Sequence, residues 1–564
     1  MMRRCLPVIL ASSLLIAVSQ PVAAQPPSPP PFDLPFAKPP SPETWMFEQY
    51  YGNTLDASNY GKYWYAAGQG LHFGMDFEAP CGTPVTAIAD GVIDQIDNQL
   101  FGAAPHNLVI RHDQYGYVSV YGHLHEKVTL LRGQPVKRGE VVAVTGDPDL
   151  NCHSRPHLHL EIRSLDYRTA YNPAPLINAD WDMLYSLHPS DFSGFAKDLR
   201  RPNRWQFNED QPPTDFNGNA VNNFSQSWPA SYRVQPPPIT LPATLAQPLN
   251  ANMPIHLQRL TQTGCCTRPW WTPDSQAVQY LDIQPDQDLA SVYQVGLRGG
   301  TPTVISASPP AIVAPNGKYE VRVIGNNMTL VELATDKRTN LFTRGAYPRF
   351  SPNSTRLLWH IRPADDIPGE IAPRTEIWIA DVATGEATLL RTQSGGAVRW
   401  LDEDRLLISE IKNYSQDVSL SILTISTKEV QPLIETSFMR SLTVAPGGKY
   451  LMYALYFQDK PDASGVFLLE TQPGAVPKQL PFFGGWRWRD SSSVLYIPFG
   501  ETPMSLVLYD ITTNSQQQLQ VPKFETFRIA TADWEVSPDG RHIVFVEGRD
   551  HAIWVIDLPV RDWF

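Results

Sequence analysis

The feature that most constrains this chain is a unit that recurs seven times in its second half. It begins as WTPDSQAVQYL at Trp271, VAPNGKYEVRV at Val313, FSPNSTRLLWH at Phe350 and WLDEDRLLISE at Trp400. It returns as VAPGGKYLMYA at Val444, WRDSSSVLYIP at Trp488 and VSPDGRHIVFV at Val536. Each copy is an apolar residue, a turn of Pro, Asp, Asn or Gly, and then an alternating run, which specifies a strand leaving a tight turn. The copies follow one another at about 37 to 50 residues, the period of four-stranded propeller blades. Further strand-like runs follow each turn, as in EIWIADVATGEATLL and LVLYDITTNSQQQLQ. Seven turns imply seven blades. The last copy stops early, after AIWVIDLP, and IHLQRLTQ at 255–262 has the pattern of the strands that end the other copies. This segment is expected to close the ring, which removes an exposed sheet edge. The tryptophans Trp270, Trp271, Trp486, Trp488 and Trp534 are expected to pack between blades rather than line a ligand-binding mouth.

The repeats resemble the TolB-type propellers, whose blades carry SPDG-like turns. That resemblance covers residues 255–564 and speaks for fold, not for function.

Residues 42–177 form a different unit. Short strand-like runs at 84–88, 91–96, 107–111, 117–121 and 141–145 are punctuated by Gly, Pro and Asn, with no long helical period. The fold class is therefore all-β, a compact antiparallel domain plus a seven-bladed propeller. Between the two, residues 178–254 read as linker or wrapped loops, with Trp181, Phe195 and Trp205 suggesting that part of the segment packs on a domain surface. The 53 prolines gather in a few stretches, and QPPSPPPFDLPFAKPPS at 25–41 reads as an extended spacer.

Residues 1–24 have the form of a secretory signal. Arg3 and Arg4 precede an apolar run at 6–18, and Val22-Ala23-Ala24 supplies a small-residue cleavage site. The run is short of the roughly 20 residues that span a bilayer, and no second long one follows, so the expected product is secreted, to the periplasm or the outside. The formal charge is −12, and losing Arg3 and Arg4 with the signal makes it −14. That balance argues against a nucleic-acid partner.

Five residues carry the chemistry: His72 and Asp76 in HFGMD, His123 in YGHL, and His157 and His159 in HLH. Residues two apart on a strand share a face, so His157 and His159 point to one side while Leu158 points to the core. Gly74 inside HFGMD, with Pro80, Gly82 and Pro84 after it, argues for a bent strand or loop rather than a helix. Two imidazoles and a carboxylate supply three protein ligands and leave a fourth corner open, the layout of catalytic rather than structural zinc. The cysteines show no CxxC spacing, so a thiolate site is not expected. Cys81 follows HFGMD and Cys152 precedes HLH, so if a metal site joins those segments their sulfurs come within bonding range, and a disulfide and two free thiols both stay open. For Cys265 and Cys266 a vicinal disulfide, pairing between chains and no role at all stay open.

Residues 71–176 resemble the lysostaphin/LytM-type zinc endopeptidases, which cleave peptide bridges in bacterial cell walls. HFGMDFEAPCGTPVTAIADGVI, NLVIRHDQYGYVSVYGHL, VKRGEVVAVTG and RPHLHLEI match that family's motifs in order. The resemblance implies one zinc per chain held by His72, Asp76 and His159, with His123 and His157 as active-site histidines that are not ligands. His157 is the favoured base. It further implies peptidoglycan stem peptides as substrate. DPDLNCHSRP, after Gly146, is longer than the family's turn and borders the groove in relatives. His106, His112, His125 and His153 occupy no motif position, and Asn107 and Tyr121 are expected to be strand packing. Two other readings remain: a non-catalytic regulator of other wall hydrolases, and a chain whose propeller, binding a protein or glycan partner, is the functional part.

Overall fold

The structure, a computed structural model, describes residues 29–52, 54, 70–187, 195–201, 204–216, 249 and 254–560. Within the last span, 263, 265, 308–309, 325, 345, 347, 362–373, 413–415, 461 and 521–526 are not described. The signal expected at 1–24, Cys265 and residues 217–248 of the expected linker lie outside the described residues.

The first unit is built on strands β1 (Met46–Gln49), β2 (Met75–Glu78), β3 (Pro84–Thr86), β4 (Gly91–Ile96) and β5 (His106–His112). These are followed by β6 (Tyr117–Leu124), β7 (Pro135–Val136), β8 (Val141–Val144), β9 (His157–Ser164) and β10 (Thr169–Tyr171). The main sheet runs β1-β2-β9-β6-β5-β4-β7 and its described pairs are antiparallel, while β3 and β8 form a small second sheet. Strand β9 shows why HLHLEIRS folds as it does. Leu158, Leu160 and Ile162 enter a core with Phe77, Leu108, Ile110 and Tyr121. The opposite face carries His157, His159 and Glu161, and these too are buried. Burial on both faces is what sequence alternation alone does not reveal.

The stretch read as a spacer is not one from Pro29 onward. Phe32 is fully buried and its backbone brackets Leu176 and Asn178, with Phe32 N donating to Leu176 O and Asn178 N to Phe32 O. Phe36 stacks on Trp45 at 4.8 Å. The prolines extend this backbone, but the aromatics between them bury enough apolar surface to bind it to the core.

Past β10 come a short helix, α1 (Trp181–Tyr185), the hairpin β11 (Phe195–Lys197) and β12 (Trp205–Phe207), and β13 (Thr214–Asp215), which pairs with β10. Seven four-stranded sheets follow and make the propeller. Strand β14 (His256–Arg259) lies against Ile553–Asp557 and completes the seventh blade, whose other strands are His542–Glu547 and Ile529–Val536. The five tryptophans are buried. Trp271 Nε1 donates to Glu535 O, and Trp486 and Trp488 donate to Thr443 Oγ1, so each of the three ties its blade to a neighbour.

The two units are packed together. Met46 joins a propeller cluster with Tyr456 and Trp486, and Met183 of α1 joins another with Leu495 and Trp534. Arg528 donates to Asp182 and to Asp180, the N-cap of α1. Pro42 O accepts from Phe457 N.

One propeller acid weakens the fold near neutrality. Asp282 is 8 % exposed, and burial raises its carboxyl from 3.8 to about 6, although Ile283 N donates to it. The folded state thus binds this proton more tightly than the unfolded chain, so its contribution to stability falls as pH rises from about 4 through about 6. Asp282→Asn should raise stability at pH 7 by at most about 3 kcal/mol, and the gain should vanish below about pH 4. Urea titration of both proteins at the two pH values checks this.

Candidate metal centre

Asp76 on β2 and His159 on β9 are directly opposed in the antiparallel register, and Glu78 is opposed to His157. Cross-strand partners hold their Cβ atoms ~5 Å apart, close enough for a shared ion. His72 lies four residues before Asp76, where the backbone at Gly52 and His72 forms an antiparallel bridge. The HFGMD segment crosses β9 so closely that a Cβ on Gly74 would collide with the Leu160 carbonyl. Only glycine admits that approach, which brings His72 over the strand.

His72 Nε2 stands 3.1 Å from Asp76 Oδ1 and 3.0 Å from His159 Nδ1, and His159 Nδ1 stands 2.8 Å from Asp76 Oδ1. Three donor atoms about 3 Å apart, one per residue, are close enough for one cation to touch all three with bonds of roughly 2.0–2.2 Å. All three residues are buried, at 4, 6 and 8 % exposure. The far nitrogens are fixed as well. His72 Nδ1 meets Tyr50 O at 2.5 Å and His159 Nε2 meets Glu161 Oε1 at 3.0 Å, with Arg163 Nε donating in turn to Glu161 Oε2 at 2.5 Å. This carboxylate–imidazole–donor line is the outer support that metal-binding histidines use. The donor set fits zinc.

Electrostatics agree. Burial works to raise the Asp76 carboxyl, yet the charges of His72 and His157 and a hydrogen bond from His159 hold it well below the usual carboxylate range. Burial works to lower His159, but hydrogen bonds to Asp76 and Glu161 and their charges push it up to about 10. Glu161 is buried too, and Arg163 and His159 bring it down to about 2. These buried carboxylates favour positive charge between them, which a divalent cation can supply.

His123 and His157 flank the cluster. Their ring centroids are 4.7 Å apart, and His157 Nε2 is 3.8 Å from Asp76 Oδ1. His157 Nδ1 donates to Arg155 O at 2.7 Å and His123 Nδ1 to Ala104 O at 2.5 Å, which leaves both Nε2 atoms with a free lone pair. Burial lowers both, and for His123 the neighbouring His157 and His159 charges lower it further. His123 sits at φ 54°, the left-handed region that a residue with a Cβ adopts at a cost. Its backbone N is held by Ala103 O at 3.0 Å.

The other histidines lie elsewhere. His106 pairs with Asp97 and His112 with Asp90 O and Ser119, while the His153 carbonyl accepts from Gln416. Asn107 braces the Asn98–Gly102 turn and Tyr121 caps Ile88 N, so both are framework. Cys81 and Cys152 form a disulfide, with His125 Nδ1 3.7 Å from Cys152 Sγ. Cys266 is disulfide-bonded. Glu161 escaped sequence reasoning, although its place two residues after His159 in an alternating strand put it on the same face.

Residues 70–173 match the family described as Peptidase family M23. An uncharacterized metalloprotease of Haemophilus influenzae is 40 % identical over 90 residues, covering 16 % of this chain and 18 % of that protein. Lysostaphin of Staphylococcus simulans is 29 % identical over 133 residues, covering 23 % and 26 %. The peptidoglycan DD-endopeptidase ShyB of Vibrio cholerae is 32 % identical over 124 residues, covering 22 % and 26 %. The chain thus spans only about a fifth to a quarter of the length of these relatives. Among the described residues no helix is long and apolar enough to cross a membrane. With its ordered motifs, its β9-centred sheet and these relatives, the segment at 70–173 is a Peptidase family M23 domain of lysostaphin/LytM kind, joined here to a seven-bladed β-propeller.

Proposed function

We propose that this chain is an exported, zinc-dependent endopeptidase that hydrolyses peptide cross-links of bacterial peptidoglycan, with His72, Asp76 and His159 as the ligands. The observation that carries the reading is the meeting of those three donor atoms within about 3 Å, flanked by two further imidazoles that donate outward to carbonyls. The substrate class is taken from the relatives named as lysostaphin and as a peptidoglycan DD-endopeptidase. When bound, zinc acidifies a coordinated water and polarises the scissile carbonyl.

The chain's own residues do the rest. His157, anchored through Nδ1 to Arg155 O, presents an unprotonated Nε2 near Asp76 and takes the proton of the attacking water. As the C–N bond breaks, His157 passes that proton to the departing amine nitrogen, while His123, anchored through Nδ1 to Ala104 O, faces the reacting carbonyl from the other side. Burial keeps both rings neutral before reaction, so each starts as an acceptor. Glu161 and the Tyr50 carbonyl lock the orientations of His159 and His72.

Digestion of purified cross-linked muropeptides, followed by mass analysis with and without chelator, tests the reading. Cleavage that stops with chelator and returns with zinc supports it. A chain that binds zinc yet leaves every cross-link intact, while activating another wall hydrolase, would favour the regulator. His157→Ala and His123→Ala should each slow kcat on the order of 10²-fold while keeping one zinc per chain. Steady-state rates beside metal analysis measure both.

A further inference from the structure

The metal centre lies against the propeller at two points. Glu78 ends β2, two residues beyond Asp76 on the same face and ~7 Å along the strand. It is 5 % exposed and stands opposite His157. Its carboxylate receives Arg440 Nη2, from the innermost strand of the fifth blade, Met439–Val444. The same guanidinium donates through Nη1 to Gln416 Oε1 at 3.0 Å and to Met439 O at 3.1 Å. Gln416, just before Asp417–Thr424 of the fourth blade, donates its backbone N to His153 O at 2.8 Å and its Nε2 to Ser154 O. Those carbonyls belong to the DPDLNCHSRP loop, whose next residue, Arg155, supplies the carbonyl that orients His157.

Two adjacent blades therefore grip the strand that bears Asp76 and the loop that aims His157. An ionised Glu78 without Arg440 would be a buried anion on the metal face, and β2 would have to shift to reach water. We propose that Arg440 and Gln416 are positioning residues of the metal centre, so that the propeller is a working part of the catalytic domain. The proposal rests on the metal-centre reading above, but its test reads metal affinity directly and needs no substrate.

The full-length protein and its Arg440→Met, Arg440→Lys and Gln416→Ala variants are titrated with Zn²⁺ against a competing indicator. Removing a group that supports metal ligands from outside typically costs about 10- to 100-fold in affinity or activity. Arg440→Met should weaken zinc about tenfold or more. Gln416→Ala should weaken it a few-fold. Arg440→Lys, which keeps the charge and loses the fork, should fall between wild type and Met. On a muropeptide substrate kcat should fall in the same order, with KM within about twofold. If Arg440→Met does not fold, the loss of zinc affinity in Arg440→Lys and Gln416→Ala relative to wild type still decides. Variants that lose thermal stability yet hold zinc and kcat within twofold of wild type would make these ordinary interface contacts and overturn the proposal. A wild-type chain that binds no zinc would sink the metal-centre reading instead.

Discussion

On the proposed function, His159→Ala should take up no zinc and should digest no cross-linked peptide. Its imidazole is the hub of the cluster, touching Asp76 and His72 through Nδ1 and Glu161 through Nε2. Alanine leaves two ligand residues, too few for a zinc site of the catalytic type, which uses three. Water acidification and carbonyl polarisation leave together, so the rate should drop by at least about 10⁴-fold. The variant should also be less stable, because Asp76 and Glu161 lose their shared cation and remain as buried carboxylates. Elemental analysis of the purified protein and muropeptide digestion report the two losses separately. Retention of one zinc per chain by the variant would remove His159 from the ligand set.

The second large effect belongs to the Cys81–Cys152 bridge. Its sequence separation is 71 residues, and cross-linking a loop of that size contributes about 4 kcal/mol in the chain-entropy account. The bridge ties the turn after β2 to the DPDLNCHSRP loop. That turn is also sewn to the residue after β8, with Gly82 N donating to Thr145 O at 2.8 Å. The double variant Cys81→Ser, Cys152→Ser should therefore unfold about 4 kcal/mol more easily in denaturant, and reduction of the wild type should reproduce much of that loss. A change below about 1 kcal/mol would mean that hydrogen bonds such as Ser154 to Asp147 already hold the loop without it.

The propeller was legible because each blade repeats the same local signal, and IHLQRLTQ carried the outer-strand pattern that places β14 beside Ile553–Asp557. The five residues that cluster around Asp76 were legible as motifs. HLH sits on a strand, where a period of two sets directions, and HFGMD contains a glycine that only a close crossing explains. What escaped was set by contacts far apart in the chain. Tyr50 contributes a backbone carbonyl, which side-chain identity does not advertise. Arg440 lies hundreds of residues from Glu78, and an arginine in a repeat strand gives no sign of its partner. The proline-rich stretch misled because proline content reports an extended path and says nothing of where Phe32 and Phe36 will lodge.

Strand β14 is among the first propeller residues to be synthesised, and its neighbour Ile553–Asp557 is among the last. The ring can shut only when translation of that final segment is done, whereas the sheet that carries Asp76 and His159 can fold far sooner. Arg528, which clasps Asp180 and Asp182, arrives late as well. The contacts that join the propeller to Asp180 and Asp182 and those that close its ring therefore form after the sheet of the first unit can have folded.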